Sequence, residues 1–380
     1  MATRIRSGLF IPPIHPVEED PTLCIQRDLE IIEYVERLGF EEAWIGEHHS
    51  GGYELIASPE LFIAAAAERT SHIRLGTGVI SLPYHHPLMV ANRLIQLDHQ
   101  TRGRLMIGIG PGVLPEDASQ MGIDPMVQRP RMAEAIDVIV RLFKGERVTH
   151  KSDWFELVNA CCHNLPYSRP HPEIAVASVA TPSGGKLAGK YGFSMLCLAA
   201  TQKGSFDALD TNWAIANEIA AENGHTLHRN NLRLVAPVHI AETREQARAN
   251  IKFGFDKWVT YFNTVSPVGY STAGATGDPI DYLIEQGAIT VGTPDDAIAM
   301  MGRIKEKQGD FGCFLHNAQN WASFEATKKS YELWQRYVMP VVNRLNVQRS
   351  AAFDHAGDPA VTREFFAGTK RATEAALAAR

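Results

Sequence analysis

Long hydrophobic runs are missing from this chain. The longest apolar stretch, Leu61 to Ala67, cannot span a bilayer. The N-terminal MATRIRSGLFIPPIHP carries basic residues but too short an apolar segment for a signal peptide. Cysteine is sparse. The five residues, at 24, 161, 162, 197 and 313, are odd in number, lack metal-ligand spacing and include one adjacent pair. That argues against a disulfide framework and for a reducing compartment, so a cytoplasmic protein with no membrane partner is expected. A basic stripe is also absent. The net charge is −6, with both signs interspersed, and nucleic acid is not an expected partner. No G-x-S-x-G elbow, H-E-x-x-H motif or internal repeat occurs. The glycines at 108, 110 and 112 do not match the G-x-G-x-x-G dinucleotide fingerprint. A serine hydrolase, a zinc peptidase and a Rossmann dehydrogenase therefore lose support together.

What is present is ordinary globular material, 45% hydrophobic and 21% charged over 380 residues, enough for a large core. Apolar strand-like segments alternate with helical patterns: IRSGLFI, EAWIG, IRLGTGVI, RLMIGIG, EIAVAS, FSMLCLA, LRLVAPVHI and GCFLHN, each followed by a helix. Strands apolar throughout are those of a sheet covered by helices, and the alternation predicts an α/β fold, a (β/α)8 TIM barrel over residues 1–344. Three stretches break the rhythm. Residues 146–172 read as irregular. Residues 254–290, rich in Gly, Thr, Ser and Pro, read as a long mobile loop that covers the barrel mouth when substrate binds. Residues 345–380 read as an Ala-rich tail outside the barrel.

Function in such barrels collects in the loops after the strands. The second loop carries Glu47, His48 and His49; the third carries His85 and His86; the fourth reads GPGVLPED; the last carries His316. After the fifth strand, SVATPSGGK places Ser178, Thr181 and Ser183 beside Gly184 and Gly185, with Thr181 as expected N-cap and Pro182 in the first helical turn. Free N–H groups and hydroxyls at a helix start suit an anion such as phosphate; ordinary helix capping is the other reading. Adjacent residues on an extended segment point to opposite sides, so His48 and His49 do not easily share one ion, and no metal is expected. His85, His86 and His316 read as structural.

The segments GFEEAWIGEHH, IRLGTGVISLPYHHP and LDHQTRGRLMIGIGPG, in this order and spacing, resemble the bacterial luciferase-like flavin-dependent monooxygenases over about residues 5–340. Within that family the likeness is greatest to the limonene monooxygenase group, with the diketocamphane monooxygenases more distant. The resemblance implies a homodimeric barrel that takes reduced FMN from a separate flavin reductase. It also implies reaction with O2 through a flavin hydroperoxide and insertion of one oxygen atom into a hydrophobic small molecule, such as a terpenoid. The family's catalytic histidine falls on His48, and its neighbour Glu47 matches the family too; Glu47 either holds the imidazole tautomer or is a solvated or salt-bridged loop residue, and His49, pointing away, reads as structural. A non-proline cis peptide behind the flavin ring falls on Gly78–Val79. Gly110 falls on a position close to the flavin where luciferases carry a cysteine, so no thiol role carries over and light emission is not implied. The phosphate position falls on Thr181, Ser183 and Gly184. Three alternatives stay open: a deazaflavin-dependent oxidoreductase on the same fold, a non-catalytic flavin-binding protein, and a metal-dependent hydrolase.

Overall fold

Proline marks many of the helix starts. Pro21, Pro59, Pro87, Pro125, Pro279 and Pro294 each occupy the first helical position, where a missing N–H costs nothing and the fixed φ suits the helix. Between these helices run eight strands of a closed parallel barrel: β1 Arg6–Ile11, β2 Glu42–Ile45, β3 Arg74–Ser81, β4 Leu105–Gly110, β5 Glu173–Ser178, β6 Ser194–Cys197, β7 Leu232–Ala236 and β8 Cys313–Asn317. Each pairs with its neighbour in chain order, and β8 closes on β1 with Cys313 opposite Arg6. The computed structural model describes residues 4–266, 270–272 and 274–379. Among them, no helix is long and apolar enough to cross a membrane.

The expected barrel is present, with three local differences. LRLVAPVHI is two strands, because Pro237 has no N–H to continue the ladder. Val238–Ile240 leaves the barrel and pairs with Thr290–Gly292. The stretch 146–172 contains an antiparallel hairpin, Val148–Lys151 with Glu156–Ala160. The stretch 254–290 is not a structureless loop. Phe255–Thr264 and Pro279–Glu285 are helices, and Phe255, Trp258, Tyr270, Ile280 and Leu283 form a hydrophobic cluster with Trp321. Residues 267–269 and 273 lie outside the described residues. The tail forms two helices, Val347–Gly357 and Pro359–Ala378, with no buried side chain.

The two ends of the barrel differ chemically. Its middle is filled by Phe10, Trp44, Met106, Leu196, Val235 and Leu315. At the N-terminal ends of the strands, Arg233, 1% exposed, donates to both oxygens of Glu42 at 2.8 and 3.0 Å and to Glu173 at 2.6 Å. Arg6 adds bonds to Glu42, and Arg74 adds one to Glu173. Burial alone would raise both carboxyls. The arginines outweigh it, holding Glu42 below the usual range and Glu173 at about 2. A cavity of about 540 Å³ opens at this end among the same ion-paired groups, away from the strand ends that carry the candidate site.

Candidate functional site at the C-terminal mouth of the barrel

Past Ile45, where β2 ends, residues 46–49 belong to no strand, and neighbouring side chains part to different partners. Glu47 and His49 share one side. The buried Glu47 carboxylate accepts from His49 Nε2 at 2.9 Å and His85 Nε2 at 2.7 Å through Oε1, and from the Ser81 amide at 3.2 Å through Oε2. Burial pushes its pKa up, but these bonds hold it below the ordinary value. His49, bonded to Glu47, is shifted upward. Glu47, His49 and His85 thus converge within 4.8 Å as a closed hydrogen-bonded cluster.

His48 faces the other way. Its Nδ1 lies 2.9 Å from Asp117 Oδ2 and its Nε2 lies 3.3 Å from Glu54 Oε2. Asp117 sits on the short helix Pro115–Gln120 after β4, and its second oxygen accepts from the His49 amide and the Ser50 hydroxyl. Burial raises the Asp117 pKa, but the bonds from His48 and Ser50 bring it below the carboxylate norm. As an ionised acceptor it fixes the proton on His48 Nδ1. Glu54 returns to the site because the loop folds back: the His48 amide bonds to the Ile56 carbonyl, and Glu54 bridges Ile14. Tyr261, on the helix Phe255–Thr264, donates its hydroxyl to Glu54 Oε1.

The expectation that Glu47 orients His48 is therefore corrected. Asp117 and Glu54 flank His48, while Glu47 binds His49 and His85. His85 belongs to the mouth, its Nε2 hydrogen-bonded to the Glu47 side chain. His316 is a core residue packed against Phe314 and Trp334. Neither of its nitrogens is hydrogen-bonded, and burial lowers its pKa to about 3. Asp117 lay inside the quoted GPGVLPED and Glu54 closed the run EHHSGGYE; spacing gave no sign that either would meet His48.

The other expected positions lie on neighbouring strand ends. The Gly78–Val79 peptide is cis, within a register irregularity between β3 and β4. Gly110 ends β4, where a Cβ would meet Val79 Cγ2 at 2.5 Å, so any larger residue would have to displace the Val79 side chain. At the end of β5, Ser178 is buried, its hydroxyl set against the Cys197 thiol and without a nitrogen or oxygen partner. The helix Ser183–Tyr191 starts one residue later than expected, with Pro182 as N-cap and no side chain capping it. Thr181 and Ser183 are exposed and 2.9 Å apart, oxygen to oxygen. Gly184 packs so closely that a Cβ would collide with the Ala177 carbonyl. Ordinary capping thus does not account for these hydroxyls. An uncapped helix start beside an orphaned buried hydroxyl fits an anionic group such as the phosphate of FMN.

A closed parallel barrel that gathers ionisable side chains and a free helix start at the C-terminal ends of its strands is a TIM-barrel enzyme. The chain belongs to the luciferase-like monooxygenase family, whose model matches residues 5–310, and it is a monooxygenase. It is 47% identical over 340 residues to limonene 1,2-monooxygenase of Rhodococcus erythropolis, covering 90% of this chain and 87% of that one. It is 44% identical over 348 residues to 4-hydroxyprotoasukamycin monooxygenase of Streptomyces nodosus subsp. asukaensis, covering 90% and 93%. The fold also matches the FMN-complexed oxygenating constituent of 3,6-diketocamphane monooxygenase from Pseudomonas putida, with a TM-score of 0.74 at 23% identity over 90% of this chain and 99% of that one.

Proposed function

We propose that this chain is the oxygenase of a two-component, FMN-dependent system in the cytoplasm. In this reading it inserts one atom of O2 into a hydrophobic small molecule, with terpenoids the first class to try, and takes reduced FMN from a separate flavin reductase. The carrying observation is the uncapped start of the helix Ser183–Tyr191 beside the orphaned Ser178 hydroxyl. Bound reduced FMN supplies the electrons that activate O2. The residues supply the rest. The amides of Ser183, Gly184 and Gly185, with the hydroxyls of Ser178, Thr181 and Ser183, hold the phosphate. Val79, cis-linked to Gly78, and Gly110 would line the flavin ring. His48, its Nδ1 proton fixed by Asp117, holds or moves a proton at Nε2. The aromatic cluster of Trp258, Phe262 and Tyr270 excludes water from the mouth, the role assigned from the sequence to a lid.

The test has two arms. Reduced FMN and reduced deazaflavin are titrated separately into the protein; tighter binding of FMN is expected. The protein is then incubated with reductase, FMN, O2 and a panel of terpenoids, and products are read by mass for the gain of one oxygen atom. Preference for the deazaflavin, or no oxygenated product across the panel, overturns this reading.

A further inference from the structure

Both imidazole nitrogens of His48 are already engaged by carboxyl groups of the chain itself. Asp117 takes Nδ1 at 2.9 Å. Glu54 faces Nε2 at 3.3 Å, off the line of a hydrogen bond, and Glu54 Oε2 has no other partner. We infer that Glu54 is the proton-sharing partner of His48. The two side chains hold one proton between them at neutral pH, and Glu54 is the store from which His48 Nε2 is recharged. The inference rests on the reading of His48 as the acid–base residue of the oxygenase.

The geometry gives each atom one task. Asp117, ionised and accepting at Nδ1, leaves Nε2 as the only nitrogen that can exchange a proton. The Glu54 oxygen that faces it is buried and unpartnered. The other Glu54 oxygen is held by the Tyr261 hydroxyl, which fixes the carboxyl plane. In the exchange, the O–H bond at Glu54 Oε2 breaks and an N–H bond forms at His48 Nε2, leaving a carboxylate beside an imidazolium; the return step is its reverse. Burial supports the assignment by raising Glu54 to about 7, although His48 and Tyr261 act in the opposite direction. For His48, burial lowers the pKa, but the charges of Glu54, Asp117 and Glu47 raise it overall. The titratable groups facing the pair are Asp117 from the helix after β4, Tyr261 from the helix Phe255–Thr264, and Glu47 from the same loop. A carboxyl and an imidazole that titrate close together behave as one coupled unit, with a single-proton state between two macroscopic steps.

The experiment uses the full chain with histidine labelled for NMR, the His48 signal being assigned by its loss in His48→Asn. In the wild type, the His48 ring should titrate above an ordinary histidine. In Glu54→Gln it should titrate about 1–3 units lower, because the opposing charge is gone. This readout needs no turnover, so it stands or falls apart from the proposed activity. With activity measured in parallel, the wild-type rate should be bell-shaped in pH. Glu54→Gln should lose one limb and fall about 10²-fold in rate. If Glu54→Gln does not fold, Tyr261→Phe serves instead. Removing the donor to the Glu54 carboxylate should let Glu54 hold its proton to higher pH, which moves the bell-shaped rate profile upward and, because less charge then faces the ring, moves the His48 titration downward. An unchanged His48 titration in folded Glu54→Gln, or no movement in Tyr261→Phe, overturns the inference. A wild type with the coupled titration but no oxygenated product leaves the proton-sharing pair standing and removes the proposed function.

Discussion

Arg233→Met should destabilise the barrel more than any surface charge change. The substitution roughly keeps the aliphatic volume and removes the guanidinium. Arg233 is 1% exposed and makes three charge-assisted bonds, two to Glu42 and one to Glu173. Glu42 is itself fully buried and would keep only Arg6 and the Trp44 indole N–H. Glu173 is less exposed to loss, because Arg74 and the Ser194 hydroxyl still hold it. Breaking a buried pair by removing one partner costs about 3–5 kcal/mol, and Glu42 should carry most of it. The double variant Arg233→Met with Glu42→Gln should recover part of the loss, since no unpaired buried carboxylate remains. Urea unfolding followed by tryptophan fluorescence and circular dichroism measures all three proteins. The pH dependence gives a second check. Glu173 is depressed in the folded state to about 2. Its contribution is therefore complete above the unfolded carboxylate value of about 4.3 and is lost as pH falls through about 2. The gap between wild type and Arg233→Met should narrow on acidification across that window. A variant within about 1 kcal/mol of wild type at pH 7, well below the cost of an unpaired buried charge, or a gap that ignores acid, would refute the account.

Three further outcomes are expected. Thr181→Ala with Ser183→Ala should weaken FMN binding by about 1–3 kcal/mol, through lost charge-assisted bonds; fluorescence titration reads this, and unchanged affinity removes the phosphate assignment. His48→Asn should fold and bind FMN while slowing oxygen transfer by about 10²–10⁴-fold. A larger loss at His49→Asn than at His48→Asn in single-turnover rates would put the wrong histidine against the flavin. Light scattering at micromolar concentration should show a homodimer, and Leu61→Glu should leave a monomer, because Leu61 is a large apolar side chain 75% exposed on the helix Pro59–Arg69; a monomeric wild type refutes it.

The barrel was legible because buried parallel strands are written as apolar runs, and proline and glycine punctuate them. What escaped had a common cause. In 254–290, the turn-forming composition of the second half hid a helix whose aromatics, Phe255, Trp258 and Phe262, recur at helical spacing. Residues 232–240 have the apolar composition of one strand, and Pro237 splits them into two. The site divided in the same way. Alternation puts His48 and His49 on opposite sides, as they are, but the same alternation parts His48 from Glu47, so adjacency in sequence was the wrong guide to its carboxylate partner. The partners of His48 did not follow, because Asp117 lies 69 residues away and Glu54 reaches it only through a folded-back loop. Tyr261 was out of reach for as long as its helix was.

The ion network at the base and Glu54 at the mouth also answer to different parts of the pH scale. Glu173 stays ionised far into acid and Glu42 is held below the usual carboxylate range by the arginines, whereas Glu54 changes state near neutrality. A modest drop in pH can then switch off proton exchange at one end of the barrel while the other keeps the strands locked in register. Inactivation of this kind should be fully reversible on neutralisation. Loss of activity and loss of structure would appear as two well-separated events in acid, and storage at mildly acidic pH would preserve a silent but intact enzyme.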